Sequence, residues 1–140
     1  VIPFGYVPDD TVLIELGRRD MALHRLIISF DRAHVRTSVP FITLAAAEAV
    51  LSPDQRLVVR GVIDVLEHVH VDPVAAHTEA ARLAEVVARM EQPADMAAAH
   101  VVAVSQHLDW PVLTADAGRW DTIKAHLPWQ VELVEISDLD

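Results

Sequence analysis

Carboxylates stand where this 140-residue sequence passes from apolar runs into polar ones. Asp9 and Asp10 follow "FGYV", Asp116 follows "PVLT", and Asp95 opens an alanine-rich stretch. A charge at the tip of a buried strand is costly unless something there uses it. If these acids converge, their like charges need a neutralising partner. A divalent cation is one such partner, and Mg2+ and Mn2+ are often held by a few carboxylates plus water. Such a centre activates water against a phosphodiester and stabilises the leaving oxygen. Taken singly, each acid has a plainer reading as a helix cap or a charge at a helix start: Asp9 or Asp10 before Thr11, Asp95 at the next helix, Asp116 before Ala117. The set points to a metal site, and each member alone points to a cap.

The elements that must position these acids are written as alternating patterns. "FGYV" (4–7) is a short β-type run. Residues 11–34 have helical periodicity interrupted by Gly17 and two arginines, which predicts two helices. "VRTSVP" (35–40) predicts a second strand, "FITLAAAEAVL" (41–51) a helix, and Ser52-Pro53 the capped start of another ending near Asp64. "VLEHVHV" (65–71) alternates and predicts a third strand. Residues 72–90 and 93–108 predict helices, 110–114 a fourth strand, 117–127 a helix and 129–136 a last strand. No repeat, low-complexity linker or internal boundary interrupts 1–140, so one α/β domain is expected, with a mostly parallel sheet and helices on both faces. Ligands of such sheets gather at the carboxyl ends of the strands. Parallel topology brings the ends of the first and fourth strands, carrying Asp9 and Asp116, side by side.

Composition narrows the classes. With 52% hydrophobic residues the chain can build a core, and without cysteine it has no disulfide, thiolate metal site or cysteine nucleophile. The start lacks the pattern of a signal peptide, and no apolar run reaches the roughly 18 residues of a membrane span, so a cytoplasmic protein without membrane contact is expected. The net charge of −10 argues against a general nucleic-acid coat. Residues 1–40 nevertheless balance five acids with Arg18, Arg19, Arg25, Arg32 and Arg36, so any polyanion should meet this third of the chain. The plainer reading of these arginines is a solvated helix face.

The stretches "VPDDTVLIELGRRD", "VPFITLAAAEAV" and "DMAAAHVVAVSQHLDWPVLTAD" together resemble the PIN-domain family. The likeness spans nearly the whole chain, and its strength lies in the order and spacing of motifs that are each short. It implies a PIN-like three-layer fold with a five-stranded parallel sheet. It also implies a Mg2+- or Mn2+-dependent endoribonuclease, often the toxin of a VapBC-type toxin–antitoxin pair. RNA would be the substrate, an antitoxin protein the partner and a homodimer the assembly. Asp9 then takes the family's first acid, with Asp10 as neighbour or substitute, and Thr11 the small hydroxyl position. Asp95 takes the third acid, Asp116 the fourth, and Thr114 the threonine before it. Asp9, Asp95 and Asp116 would be catalytic and hold the metal, assisted by Asp10 or Glu48. Thr11, Thr114, Arg18 and Arg19 would face ligand or phosphate.

The sequence departs from the family pattern. The second acidic position is Ala46, and Glu48 lies about 200° further round the helix. Counted back from Asp116, the third acid falls on Ala98, and Pro8 replaces a strand aliphatic. The alternative is a catalytically degenerate PIN-like domain that binds protein or RNA.

Other constellations are weaker. His68 and His70 would share one strand face, most simply a polar face, and His100 would pack within its helix or border the acids. No His-x-x-x-His helix motif appears, which argues against zinc. No glycine-rich phosphate loop or nucleophile elbow is present. A receiver-type signalling domain also starts with paired acids, but its lysine should follow the last strand, and Lys124 precedes it. Trp110, Trp120 and Trp129 read as core-edge packing.

Overall fold

The computed structural model describes residues 4–139. The first half runs β1 (Gly5–Pro8), α1 (Asp10–Gly17), α2 (Met21–Arg32), β2 (Arg36–Pro40), α3 (Phe41–Val50), α4 (Pro53–Val65) and β3 (Val69–Asp72). The second half runs α5 (His77–Arg89), α6 (Met96–Leu108), β4 (Val112–Thr114), a 3-10 turn (Ala117–Arg119), α7 (Trp120–Ala125), β5 (Leu133–Glu135) and a closing 3-10 turn (Ile136–Leu139). The five strands form one sheet in the order β3-β2-β1-β4-β5, and every pairing is parallel. The expected α/β architecture is therefore present. The strand order reverses beside β1, so the β1/β4 junction is the switch point at which such folds place ligands.

Side-chain alternation along the central strands builds two cores. Tyr6 and Leu113 enter the layer formed with Val12, Leu16, Leu23 and Ile27, while Val7 and Val112 enter the layer formed with Val86, Val101, Val102 and Trp120. Both faces of β1 are covered, which is why its four residues are all buried. Gly5 is required by close packing, because a Cβ there would sit 2.7 Å from both Arg36 O and the Trp110 ring.

Capping sets several boundaries. Gly17 ends α1 where the sequence predicted a break, and Asp20 caps α2 by accepting from Leu23 N–H. Ser52 and Gln55 form a capping box at α4. Three boundaries move furthest. The alternation at 65–71 begins inside α4, and β3 starts only at Val69, where pairing with β2 begins. Asp72-Pro73 does not open α5; that helix begins at His77, where Glu79 accepts from Ala75 and Ala76 N–H. The last strand shrinks from 129–136 to the three residues that pair with β4. Among the described residues, no helix is long and apolar enough to cross a membrane.

Candidate functional site

β1 and β4 run in register, with Val7 opposite Val112 and Pro8 opposite Leu113, and Asp9 N–H extends the ladder to Leu113 O at 2.9 Å. Asp9 thus leaves the carboxyl edge of the sheet directly beside Thr114. It is completely buried. Its Oδ1 accepts from the Thr11 hydroxyl at 2.5 Å and from Val12 N–H at 3.2 Å, the latter as N-cap of α1. Its Oδ2 accepts from the Thr114 hydroxyl at 2.6 Å and from the Trp120 indole N–H at 2.9 Å. Four donors use the acceptor capacity of an ionised carboxylate. Thr11 and Thr114 in turn accept from Ala115 N–H and Asp116 N–H, each at 3.0 Å, so the loop after β4 is fastened to the start of α1.

A second layer lies outside this one. Arg119 spans two acids, with Nη1 donating to Asp10 Oδ1 at 2.5 Å and Nη2 to Asp95 Oδ2 at 3.0 Å. Burial works against the charged guanidinium, but Asp10, Asp9 and Asp95 outweigh it and hold the Arg119 pKa above its ordinary value. Asp95 is the N-cap of α6, accepting from Ala98 N–H at 3.1 Å through its other oxygen. Asp116 precedes the 3-10 turn without capping it, and its side chain is exposed. A cleft of about 290 Å³ adjoins Asp95, lined also by Met90, Pro93, Ile123 and His126.

The structure therefore gathers Asp9, Asp10, Thr11 and Thr114 at one edge, with Asp95 joined to Asp10 through Arg119 and Asp116 next to Thr114. Glu48 does not join them: it sits near the end of α3 and accepts from Arg60 Nε at 2.7 Å. Arg18 and Arg19 lie past the far end of α1, about 12 Å of helix from Asp10. Ala46 brings no oxygen. Among the described residues, no group of three or more His, Cys, Asp or Glu is arranged to hold a metal ion. As arranged, the donor set does not fit a carboxylate-held Mg2+ or Mn2+. Asp9 is saturated by its own protein, and one guanidinium already occupies an oxygen of Asp10 and an oxygen of Asp95.

Two residues at this edge escaped sequence reasoning. Trp120 was expected to be packing; it is fully buried and also a donor to Asp9. Arg119 lies between Asp116 and Trp120 with no motif around it. A single arginine three residues after a strand-end acid was the available signal. His100 lines a separate cleft with Asp72, Glu79 and Arg82, and its Nδ1 accepts from Ile42 N–H at 3.2 Å. Burial holds its pKa below the ordinary value, against the opposing pull of Asp72 and Glu79.

No family model matches the sequence, and no curated protein matches it. Among solved structures, it resembles a PilT N-terminus domain protein from the hyperthermophilic archaeon Sulfolobus solfataricus P2. The TM-score is 0.54 at 11% identity, covering 96% of this chain and 89% of that chain. At that identity the likeness speaks for architecture alone, and together with the sheet order it gives this chain the fold of a PIN domain.

Proposed function

We propose that this chain is a PIN-like domain that works by binding a protein partner, with the acidic edge of its sheet serving as a closed structural knot. The observation that carries this reading is Arg119, whose two donors engage Asp10 and Asp95 while Asp9 is held by four donors of its own. Support for binding comes from an open apolar cleft of about 310 Å³ between α2 and α4, lined by Leu16, Ile27, Ile28, Val58, Val62 and Val65. Val65 is 80% exposed, and an open apolar cleft of this kind suits the apolar side of a partner segment. Arg18, Arg19, Arg25 and Arg32 are exposed on α2 and the turn before it, so the partner segment is amphipathic and acidic. An antitoxin-type protein has that character under the family resemblance. Homodimerisation belongs to the same proposal and is read from the mass in solution.

The second reading is the metal-dependent endoribonuclease, favoured by the positions of Asp9, Asp10 and Asp116 just after the two central strands and of Asp95 at the start of α6. Calorimetric titration of Mn2+ into the intact protein, followed by an RNA-cleavage screen, separates the two. The binding reading expects no Mn2+ heat at micromolar protein and no cleavage. Mn2+-dependent cleavage that is lost in Asp116→Asn would overturn it and establish the ribonuclease.

A further inference from the structure

Three side chains meet at the opposite, amino edge of the sheet, where α2 ends and β3 begins. α2 closes in a Schellman motif, with Val35 N–H donating to Phe30 O at 2.8 Å and His34 N–H to Asp31 O at 3.1 Å. The residue after the cap, His34, has φ 60°, in the left-handed region where glycine is favoured. An imidazole thus occupies a position for which the backbone alone prefers no side chain. In the turn just before β3, His68 N–H donates to Asp31 Oδ1 at 2.8 Å, and the same oxygen lies 3.1 Å from His68 Nδ1. That contact assigns the ring proton to Nδ1 and leaves Nε2 with its lone pair.

The lone pair faces His34 Nδ1 at 3.2 Å. The ring centroids are 4.8 Å apart and the planes 83° apart, closer than an end-on N–H···N contact of that length allows. The rings are therefore not aligned end-on, and the two nitrogens lie 3.2 Å apart with at least one ring turned off the line joining them. Two Zn–N bonds of about 2.0–2.1 Å at a tetrahedral angle place their nitrogens about 3.3–3.4 Å apart. A carboxylate behind one imidazole is the arrangement that orients metal-bound histidines. His34 is exposed, and the side chains of His68 and Asp31 are 17% and 18% exposed, so an ion can enter from solvent.

We propose that His34 Nδ1 and His68 Nε2 form a binding site for a borderline divalent cation of the zinc class, with Asp31 as the positioning residue. Among the described residues no third His, Cys, Asp or Glu joins them, so water completes the coordination and the ion exchanges readily. Imidazole ligands prefer Zn2+ to Mg2+, which separates this site in chemistry from the acids at the other edge. A bound ion would link the end of α2 to the start of β3.

The test is calorimetric titration of Zn2+ into the full chain, beside His34→Gly and Asp31→Asn. Glycine removes the ligand while suiting the left-handed backbone, so a melting midpoint at or above the parent's shows that lost binding is not lost fold. Expected are one Zn2+ per chain, at least a tenfold loss in His34→Gly and about a 10–100-fold loss in Asp31→Asn. Zn2+ should also shift the long-range nitrogen resonances of the His34 and His68 rings, and Mg2+ should not. No saturable Zn2+ binding by the parent overturns the proposal. So does His34→Gly binding as tightly as the parent, which would leave the His34–His68 contact as a hydrogen bond only.

Discussion

Replacing Asp9 by asparagine tests whether this carboxylate is a structural hub. The side chain is isosteric, so packing is preserved and only the pattern of donors and acceptors changes. Asp9 accepts two donors on each oxygen, and on each side one of them can only donate: Val12 N–H on Oδ1 and Trp120 N–H on Oδ2. Whichever way the amide is turned, its NH2 opposes one of these groups. A buried donor left unsatisfied costs about 1–3 kcal/mol, and the surviving bonds lose the advantage of a charged acceptor. The sum is at least about 3 kcal/mol, a sizeable part of the 5–15 kcal/mol of a typical domain. At this chain length it lowers the melting midpoint by about 10 °C. The assay is calorimetric melting in buffer with a chelator, so that no divalent ion contributes. A carboxylate poised to hold a cation would behave oppositely without its ion, because its removal relieves like-charge repulsion. An unchanged or raised midpoint would refute the hub.

Further outcomes follow from neighbouring contacts. Arg119→Met should cost no more than about 1 kcal/mol, because both ion pairs are partly solvated, yet it should raise Mn2+ affinity by freeing Asp10 and Asp95; equal Mn2+ heats for parent and variant would remove Arg119 from its neutralising role. Burial depresses the folded pKa of His100 below its ordinary value of 6.5, so below pH 6.5 the unfolded chain takes up the proton first. Stability is then full above pH 6.5 and is lost as pH falls through the folded value. Urea midpoints from pH 7.5 to pH 5 should fall more steeply for the parent than for His100→Asn, whose amide oxygen still accepts from Ile42 N–H, and parallel slopes would exclude this contribution. Gly61→Ala should stabilise by about 0.5–1 kcal/mol, since a Cβ there meets nothing within 4 Å on a helix. Gly17→Ala should lose that gain, because its Cβ would come within 2.6 Å of Leu51 and 3.2 Å of Gln55 O; the two melting shifts decide it.

The sequence revealed much of the scaffold because its local signals are strong. Gly17, the Ser52 capping box and the run of alanines in α6 each act within a few residues. The edges of the sheet were less legible. β3 and β5 are edge strands whose extent is set by a single neighbour, so the alternation around Val65 and Trp129 overstated them. At the site, Asp9 and Thr114 were legible as strand-end residues brought together by parallel pairing. Arg119 was not, because its meaning comes from Asp10 and Asp95, which are 109 and 24 residues away. The same holds for His34 and His68, which no helical or strand spacing relates.

The order of the sheet has a consequence for how the chain matures during synthesis. β1, β2 and β3 can pair as soon as the first half has emerged, but β1 is then an edge, and Val7 lacks the layer that Val86, Val101, Val102 and Trp120 later supply. Asp9 meanwhile remains hydrated, since Thr114 and Trp120 lie more than a hundred residues downstream. Dehydrating that carboxylate is thus tied to the arrival of β4, the event that also closes the vulnerable edge. The β1–β4 pairing also closes a far longer loop than the β1–β2 pairing, so of β1's two neighbours β4 carries the larger closure entropy.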